Sequence, residues 1–122
     1  MNTMARWKFE LREGMAPWMV DQLKYITQRP EPLDALEIYL ELNEENMFPD
    51  RITQDVLVLS SSADHFIPAK MHAMQLKALV NARSVSGRMF TEQEQAQNHC
   101  QIGNLKLAMD TMLEWIDTVQ AR

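Results

Sequence analysis

The spacing of apolar residues along the chain changes near residue 48. Before this point apolar residues recur every three or four positions, in residues 17–28 and again in residues 33–46. This spacing predicts two amphipathic helices, the first beginning at Pro17 and the second ending near Asn46. Residues 7–11 instead alternate between apolar and polar, which is the period of a half-buried strand.

After residue 48 the pattern indicates strands and helices in alternation. Residues 55–59 are a continuous run of Asp, Val and Leu, typical of a strand covered on both faces. Residues 68–80 predict a helix. Residues 82–90 predict a weaker strand with Val85 and either Met89 or Phe90 directed inward. The spacing of the last helix places six apolar residues on one face: Leu105, Ala108, Met109, Met112, Ile116 and Val119.

Two short polar motifs mark helix starts in this half. Thr91-Glu92-Gln93-Glu94 matches a capping box, in which the first and fourth residues satisfy each other's backbone. Asn104 is suited to cap the last helix. The order strand, helix, strand, helix implies a parallel βαβ unit with a right-handed crossover, followed by a final helix. The predicted class is therefore α/β, with residues 1–48 as a separate, mostly helical region and residues 49–122 as a βαβα unit.

Composition excludes several classes of function. Hydrophobic residues make up 46% and charged residues 24% of the 122 residues, a profile typical of a soluble globular protein. The net charge of −5 argues against a nucleic-acid partner, since phosphate binding depends on clustered Lys and Arg. No apolar stretch approaches the ~20 residues that cross a bilayer, so no membrane association is expected. The single cysteine, Cys100, permits no internal disulfide and suits a cytoplasmic location.

Two side chains carry the candidate chemistry. Asp64 follows the first predicted strand of this half and His99 follows the second. The carboxyl ends of adjacent parallel strands meet at one edge of a sheet, so these side chains are expected to lie within hydrogen-bonding reach. An acid followed by a histidine is the second part of a Ser…Asp…His order. The nucleophile motif G-x-S-x-G is absent, because the three glycines are Gly14, Gly87 and Gly103.

These residues resemble a known family. Residues 52–116 look like the C-terminal portion of α/β-hydrolases of the helical-cap type, which include acyl hydrolases and carbon–carbon bond hydrolases. The matching segments are the Val-Leu-Val-Leu run before Asp64, Ile67-Pro68, Glu94-x-Ala96-x-x-His99-Cys100 and Trp115-Ile116-Asp117. The Trp7…Leu11…Gly14 spacing is similar to the end of the cap region in that group. Relatives commonly have glycine at the position of Gln95, and often a glycine within residues 60–62.

The resemblance implies a role for each residue of the pair. His99 would be the general base and Asp64 the acid that orients it, in an enzyme that hydrolyses a small acyl substrate. The upstream half, with the serine nucleophile and the oxyanion-hole amides, is missing from this chain. The isolated chain is therefore expected to be inactive or nearly so, a fragment that retains only part of a catalytic triad. No cofactor is implied.

Other side chains offer weaker alternatives. The serines at residues 60–62 and Ser86 do not lie in a tight strand-to-helix elbow, so self-sufficient catalysis is not expected. Cys100 is expected to be buried and inert. A metal site built from Asp64, His99 and the two other histidines has no recognisable ligand spacing, so no metal is expected. His65 is expected in a loop and His72 on a helix surface.

The predicted sheet leaves one edge of the strand at residues 55–59 without a neighbour. An exposed apolar strand edge is a template for pairing with another chain. We therefore expect a homo-oligomer, a complementary N-terminal hydrolase half, or coverage of this edge by residues 7–11. The rival interpretation is a non-catalytic interaction module that binds a partner chain through the same edge.

Overall fold

A computed structural model describes residues 16–43 and 45–122, and it divides the chain into two units, one ending at Met47 and one beginning at Phe48. The described residues form four α-helices and a two-stranded parallel sheet. The α/β class is therefore confirmed at this level, while a larger hydrolase sheet stays a prediction. The strand predicted at residues 7–11 lies outside the described residues.

The first unit contains helices α1 (Ala16–Thr27) and α2 (Pro32–Leu40), which pack against each other. Proline is favoured at the start of α2 because the first helical N–H needs no partner within the helix. The predicted end of α2 near Asn46 is wrong by six residues. The Asn43 side-chain oxygen accepts from the N–H groups of Glu45 (3.0 Å) and Asn46 (3.2 Å), which offers the backbone a turn instead of further helix.

The second unit contains β1 (Asp55–Ser61), α3 (Lys70–Ala78), β2 (Ser84–Phe90) and α4 (Leu105–Gln120). The two strands are parallel and in register from Asp55 opposite Ser84 to Ser61 opposite Phe90. The predicted strand, helix, strand, helix order is thus confirmed. Helix α3 packs against both strands and α4 packs against β1. Within the described residues β2 is the only strand that pairs with β1.

The core of the second unit lies where β2 ends and α4 begins. Phe90, Ala96 and Ala108 are buried, with Leu59, Leu107 and Met112 packed around them. Phe90 is thus the inward residue of β2, whereas Val85 is 36% exposed, so the prediction for Val85 is wrong. Helix α3 packs closely over β2 at Gly87, where an added Cβ would lie 2.8 Å from Cδ1 of Leu76 and 2.9 Å from Nε2 of His72.

The buried face of α4 is rotated from the predicted one. Ala108 is buried and Met112 and Val119 are half-buried, as expected. Leu105, Met109 and Ile116, which share the predicted apolar face, are exposed. The covered side of α4 instead includes three half-buried residues, Leu107, Thr111 and Trp115. The predicted cap is confirmed: Asn104 accepts a hydrogen bond from the N–H of Leu107 at 3.2 Å.

Candidate acid–base site

The loop that follows β1 holds Asp64 through its backbone. One carboxylate oxygen of Asp64, Oδ1, accepts from the N–H groups of Phe66 (2.8 Å) and Ile67 (3.0 Å). The N–H of Ala63 donates to the carbonyl of Gln97 at 2.9 Å, which ties this loop to the segment before His99. The second carboxylate oxygen of Asp64 is therefore left to face that segment.

The segment between β2 and His99 begins with the predicted capping box. The N–H and the hydroxyl of Thr91 both donate to Oε2 of Glu94, each at 2.9 Å, so this prediction is confirmed. The Thr91 N–H, followed by the Arg88 guanidinium, lowers the pKa of Glu94. Gln95 then has a positive φ of 57°, a backbone conformation that favours glycine.

His99 and Asp64 are joined by a hydrogen bond of 2.8 Å between Nδ1 and Oδ2. The Asp64 side chain is 9% exposed and that of His99 is 35% exposed. The predicted juxtaposition of these two residues is confirmed, while their catalytic role stays a prediction. Because a carboxylate only accepts hydrogen bonds, Nδ1 is the donor, and Nε2 of the neutral ring is left as an acceptor.

Burial and hydrogen bonding act on Asp64 in opposite directions. Burial raises its pKa, but the N–H of Ile67, the His99 ring and the N–H of Phe66 outweigh that effect, so the pKa of Asp64 is lowered overall. Asp64 is therefore ionised near neutral pH and able to stabilise a positive charge on His99. The Phe66 ring packs edge-on against the imidazole of His99, with ring centroids 4.8 Å apart.

A cleft of about 310 Å³ opens beside this pair. Its walls come from the end of β1, the loop after it, α3 and the turn that begins at His99. The lining residues are Leu59, Ser60, Ser61, Asp64, Ile67, Pro68, Gln75, His99, Cys100 and Gln101. This volume is at the lower end of the range for small-molecule sites.

The serines at the end of β1 have other partners. The hydroxyl of Ser60 bonds Nδ1 of His72 at 2.9 Å, and that of Ser61 accepts from Nε2 of Gln101 at 2.8 Å. His72 is half-buried by this contact, so its assignment to a simple helix surface was wrong. His65 lies in an exposed loop, as expected. Among the described residues, no serine hydroxyl is hydrogen-bonded to His99.

The prediction for Cys100 is wrong. Cys100 is exposed and lines the cleft, because the chain turns sharply after His99. Cys100 and Gln101 have positive φ angles of 55° and 54° within the 3-10 turn His99–Asn104. Sequence reasoning also missed Gln101 as a part of the site and the contact of His72 with Ser60, which lines the cleft. Their partners Ser61 and Ser60 lie 40 and 12 residues away, and no local motif marks such contacts.

Residues 16–43 and 45–122 contain no group of three or more His, Cys, Asp or Glu side chains arranged to hold a metal ion. None of their helices combines the length and apolar character needed to span a bilayer. Comparison of the whole chain with protein-family models, curated proteins and solved structures gives no match.

Proposed function

We propose that Asp64 and His99 are the acid–base pair of an α/β-hydrolase site that cleaves an ester, amide or carbon–carbon acyl bond. The observation that carries this proposal is the 2.8 Å bond between Nδ1 and Oδ2 at the carboxyl ends of two parallel strands. That position is where open α/β sheets bind their ligands. The chain then acts as the C-terminal part of the enzyme, and a second segment provides the serine.

The chemistry of the pair follows from its geometry. Nε2 of His99 takes the proton of the serine hydroxyl as the serine oxygen attacks the acyl carbon. The resulting imidazolium is stabilised by the ionised Asp64, which also keeps the ring in its Nδ1–H tautomer. His99 then returns the proton to the leaving group. Water repeats the sequence on the acyl-enzyme, and the serine is regenerated.

The proposal also explains why this chain should be inactive by itself. A triad hydrolase that lacks its catalytic side chains keeps about 10³–10⁴-fold catalysis, which comes from its oxyanion hole and substrate binding. In the proposed enzyme the oxyanion-hole amides belong, like the nucleophile, to the other segment. The isolated chain is therefore expected to show almost no turnover.

A reconstitution experiment tests this function. The chain is co-expressed with the N-terminal half of an α/β-hydrolase that carries G-x-S-x-G, and hydrolysis of p-nitrophenyl butyrate is measured. We expect turnover that the chain alone does not show and that His99→Ala abolishes. His65→Ala is the matched control, because the His65 ring lies 5.9 Å from that of His99 but is not hydrogen-bonded to Asp64. Turnover that survives His99→Ala would contradict the proposal.

A second candidate function is a non-catalytic interaction module. It is favoured by an apolar stripe on the exposed side of α4, formed by four residues at helical spacing that are between 40% and 56% exposed: Leu105, Met109, Leu113 and Ile116. Such a stripe, together with the edge of β1, suits association with a second copy of the chain. This candidate predicts a dimer rather than turnover.

Sedimentation at several concentrations tests the module. We expect a dimer that Met109→Ser converts to a monomer, whereas Glu114→Ser, on the opposite side of α4, leaves it intact. A monomer at all concentrations would count against the module and against the predicted homo-oligomer alike.

A further inference from the structure

The turn that carries His99 has an unusual backbone. Two successive non-glycine residues, Cys100 and Gln101, have positive φ angles of 55° and 54°. Residues with a Cβ rarely adopt this conformation, because the side chain crowds the backbone. Such strain persists only where the surrounding structure holds it in place.

The contacts of Gln101 provide that restraint. Its backbone N–H donates to the carbonyl of Asn98 at 2.9 Å, which closes the turn around His99. Its side-chain Nε2 donates to the hydroxyl of Ser61 at 2.8 Å. Ser61 is the last residue of β1 and is 2% exposed, so the acceptor is fixed within the fold.

We propose that Gln101 and Ser61 are positioning residues that hold His99 against Asp64. Gln101 lies two residues after His99, and Ser61 lies three residues before Asp64. The bond between Gln101 and Ser61 therefore runs beside the bond between His99 and Asp64 and joins the same two loops. It fixes the backbone of the turn that carries the His99 imidazole, whose side chain is 35% exposed. The catalytic value of this restraint rests on the proposed function, but the restraint itself does not.

The variant Gln101→Asn separates positioning from folding. Asparagine tolerates positive φ better than glutamine, so backbone strain falls, but its side chain is one methylene too short to reach Ser61. We expect the midpoint of thermal unfolding to stay the same or rise. In the NMR spectrum of the full chain, however, the Nδ1 proton of His99 should be lost to exchange with water. The imidazole ¹⁵N shifts should also move toward a mixture of tautomers.

Two further variants complete the test. Cys100→Asn relieves backbone strain one residue earlier but keeps the hydrogen bond between Gln101 and Ser61. The Nδ1 proton signal of His99 should therefore be retained. Ser61→Ala removes the acceptor and should lose the signal, and the double variant with Gln101→Asn should be no worse than either single variant. If Ser61→Ala fails to fold, Gln101→Asn decides the question.

The opposite results overturn the proposal. These are an Nδ1 proton signal that survives Gln101→Asn, one that Cys100→Asn also removes, or one that is absent from the unsubstituted chain. Because this measurement needs neither substrate nor turnover, its failure is distinguishable from a failure of the proposed hydrolase function. If Gln101→Asn loses the signal and the reconstituted protein shows no hydrolase activity, the positioning role is supported and the hydrolase function is contradicted.

Discussion

Gly103 and Gln95 are in direct backbone contact: a Cβ atom on residue 103 would lie 2.0 Å from the carbonyl oxygen of Gln95. That oxygen cannot move away easily. The N–H of Gln95 donates to the carbonyl of Glu92 at 2.9 Å, and the side-chain amide of Asn104 donates to the carbonyl of Glu94. The two ends of the segment that contains His99 are therefore clamped together, and only glycine fits at position 103.

Gly103→Ala is accordingly expected to destabilise the fold. The added methyl meets a backbone atom, and overpacking of this kind costs about 1–3 kcal/mol in the free energy of unfolding. Urea unfolding followed by circular dichroism measures the change. Gly87→Ala is the matched control, because its Cβ would meet the flexible ends of Leu76 and His72, which can shift. A larger loss from Gly87→Ala than from Gly103→Ala would contradict the clamp.

Asp64→Asn is expected to preserve the loop and reverse the tautomer of His99. The asparagine oxygen can still accept from the N–H groups of Phe66 and Ile67, while its NH₂ group faces Nδ1 and forces that atom to accept. The proton then moves to Nε2, where the base is needed. Turnover in the reconstituted enzyme should fall by about 10⁴-fold, as for a triad with the wrong tautomer.

The same variant can be checked without turnover. Imidazole ¹⁵N shifts should show a protonated Nε2 in Asp64→Asn and a protonated Nδ1 in the unsubstituted chain. Asp64→Ala is the comparison variant, because it removes the loop hydrogen bonds as well. An unchanged tautomer in Asp64→Asn would mean that this carboxylate does not orient His99.

Asp55 should contribute to stability in a defined range of pH. The hydrogen bond from Arg83, followed by that from Ser84, lowers the pKa of Asp55 from 3.8 to about 2. The folded chain therefore binds the proton less readily than the unfolded chain does. The stabilisation is complete above pH 3.8 and is lost as the pH falls toward about 2.

Urea unfolding at a series of pH values between these limits tests this linkage. Asp55→Asn should flatten the acid side of the stability profile, since the titrating group is gone. Arg83→Gln should flatten it too, because it removes the main cause of the lowered pKa, and the double variant should add little. An acid slope that is the same in all four proteins would exclude Asp55 as its source.

Local residue spacing predicted the helices and strands of the second unit correctly, but it did not predict which of their residues are buried or which contacts they make with other elements. The run at residues 55–59 and the capping box at Thr91 depend on neighbouring residues, and both are confirmed. Apolar residues of α4 extend around more of the helix than the part that packs against the rest of the second unit. Periodicity therefore could not show that Met109 would be exposed. The partly buried contact of His72 with Ser60 joins two elements, so it was equally invisible in the sequence.

The sequence predicted that Asp64 and His99 would lie together, but it did not predict the turn that holds His99 in place. Asp64 and His99 follow successive parallel strands, and that order alone brings their side chains to one edge. The left-handed backbone at Cys100 and Gln101 has no such signal, because the usual marker of positive φ is glycine. The sharp turn is also why Cys100 is exposed rather than buried.

Phe90 should be the most costly apolar side chain to remove from the second unit. It is 0% exposed, it ends β2, and its carbonyl accepts from the N–H of Ser62 at 2.9 Å. Phe90→Ala should lower the free energy of unfolding by about 3–5 kcal/mol, because it leaves a cavity between the sheet and α4. Leu113→Ala, on the exposed side of α4, should change it by about 0.5 kcal/mol or less in a monomer. Since Phe90 also packs with Ala96, three residues before His99, its loss should also weaken the hydrogen bond between His99 and Asp64. Equal costs for the two variants in urea unfolding would place the core elsewhere.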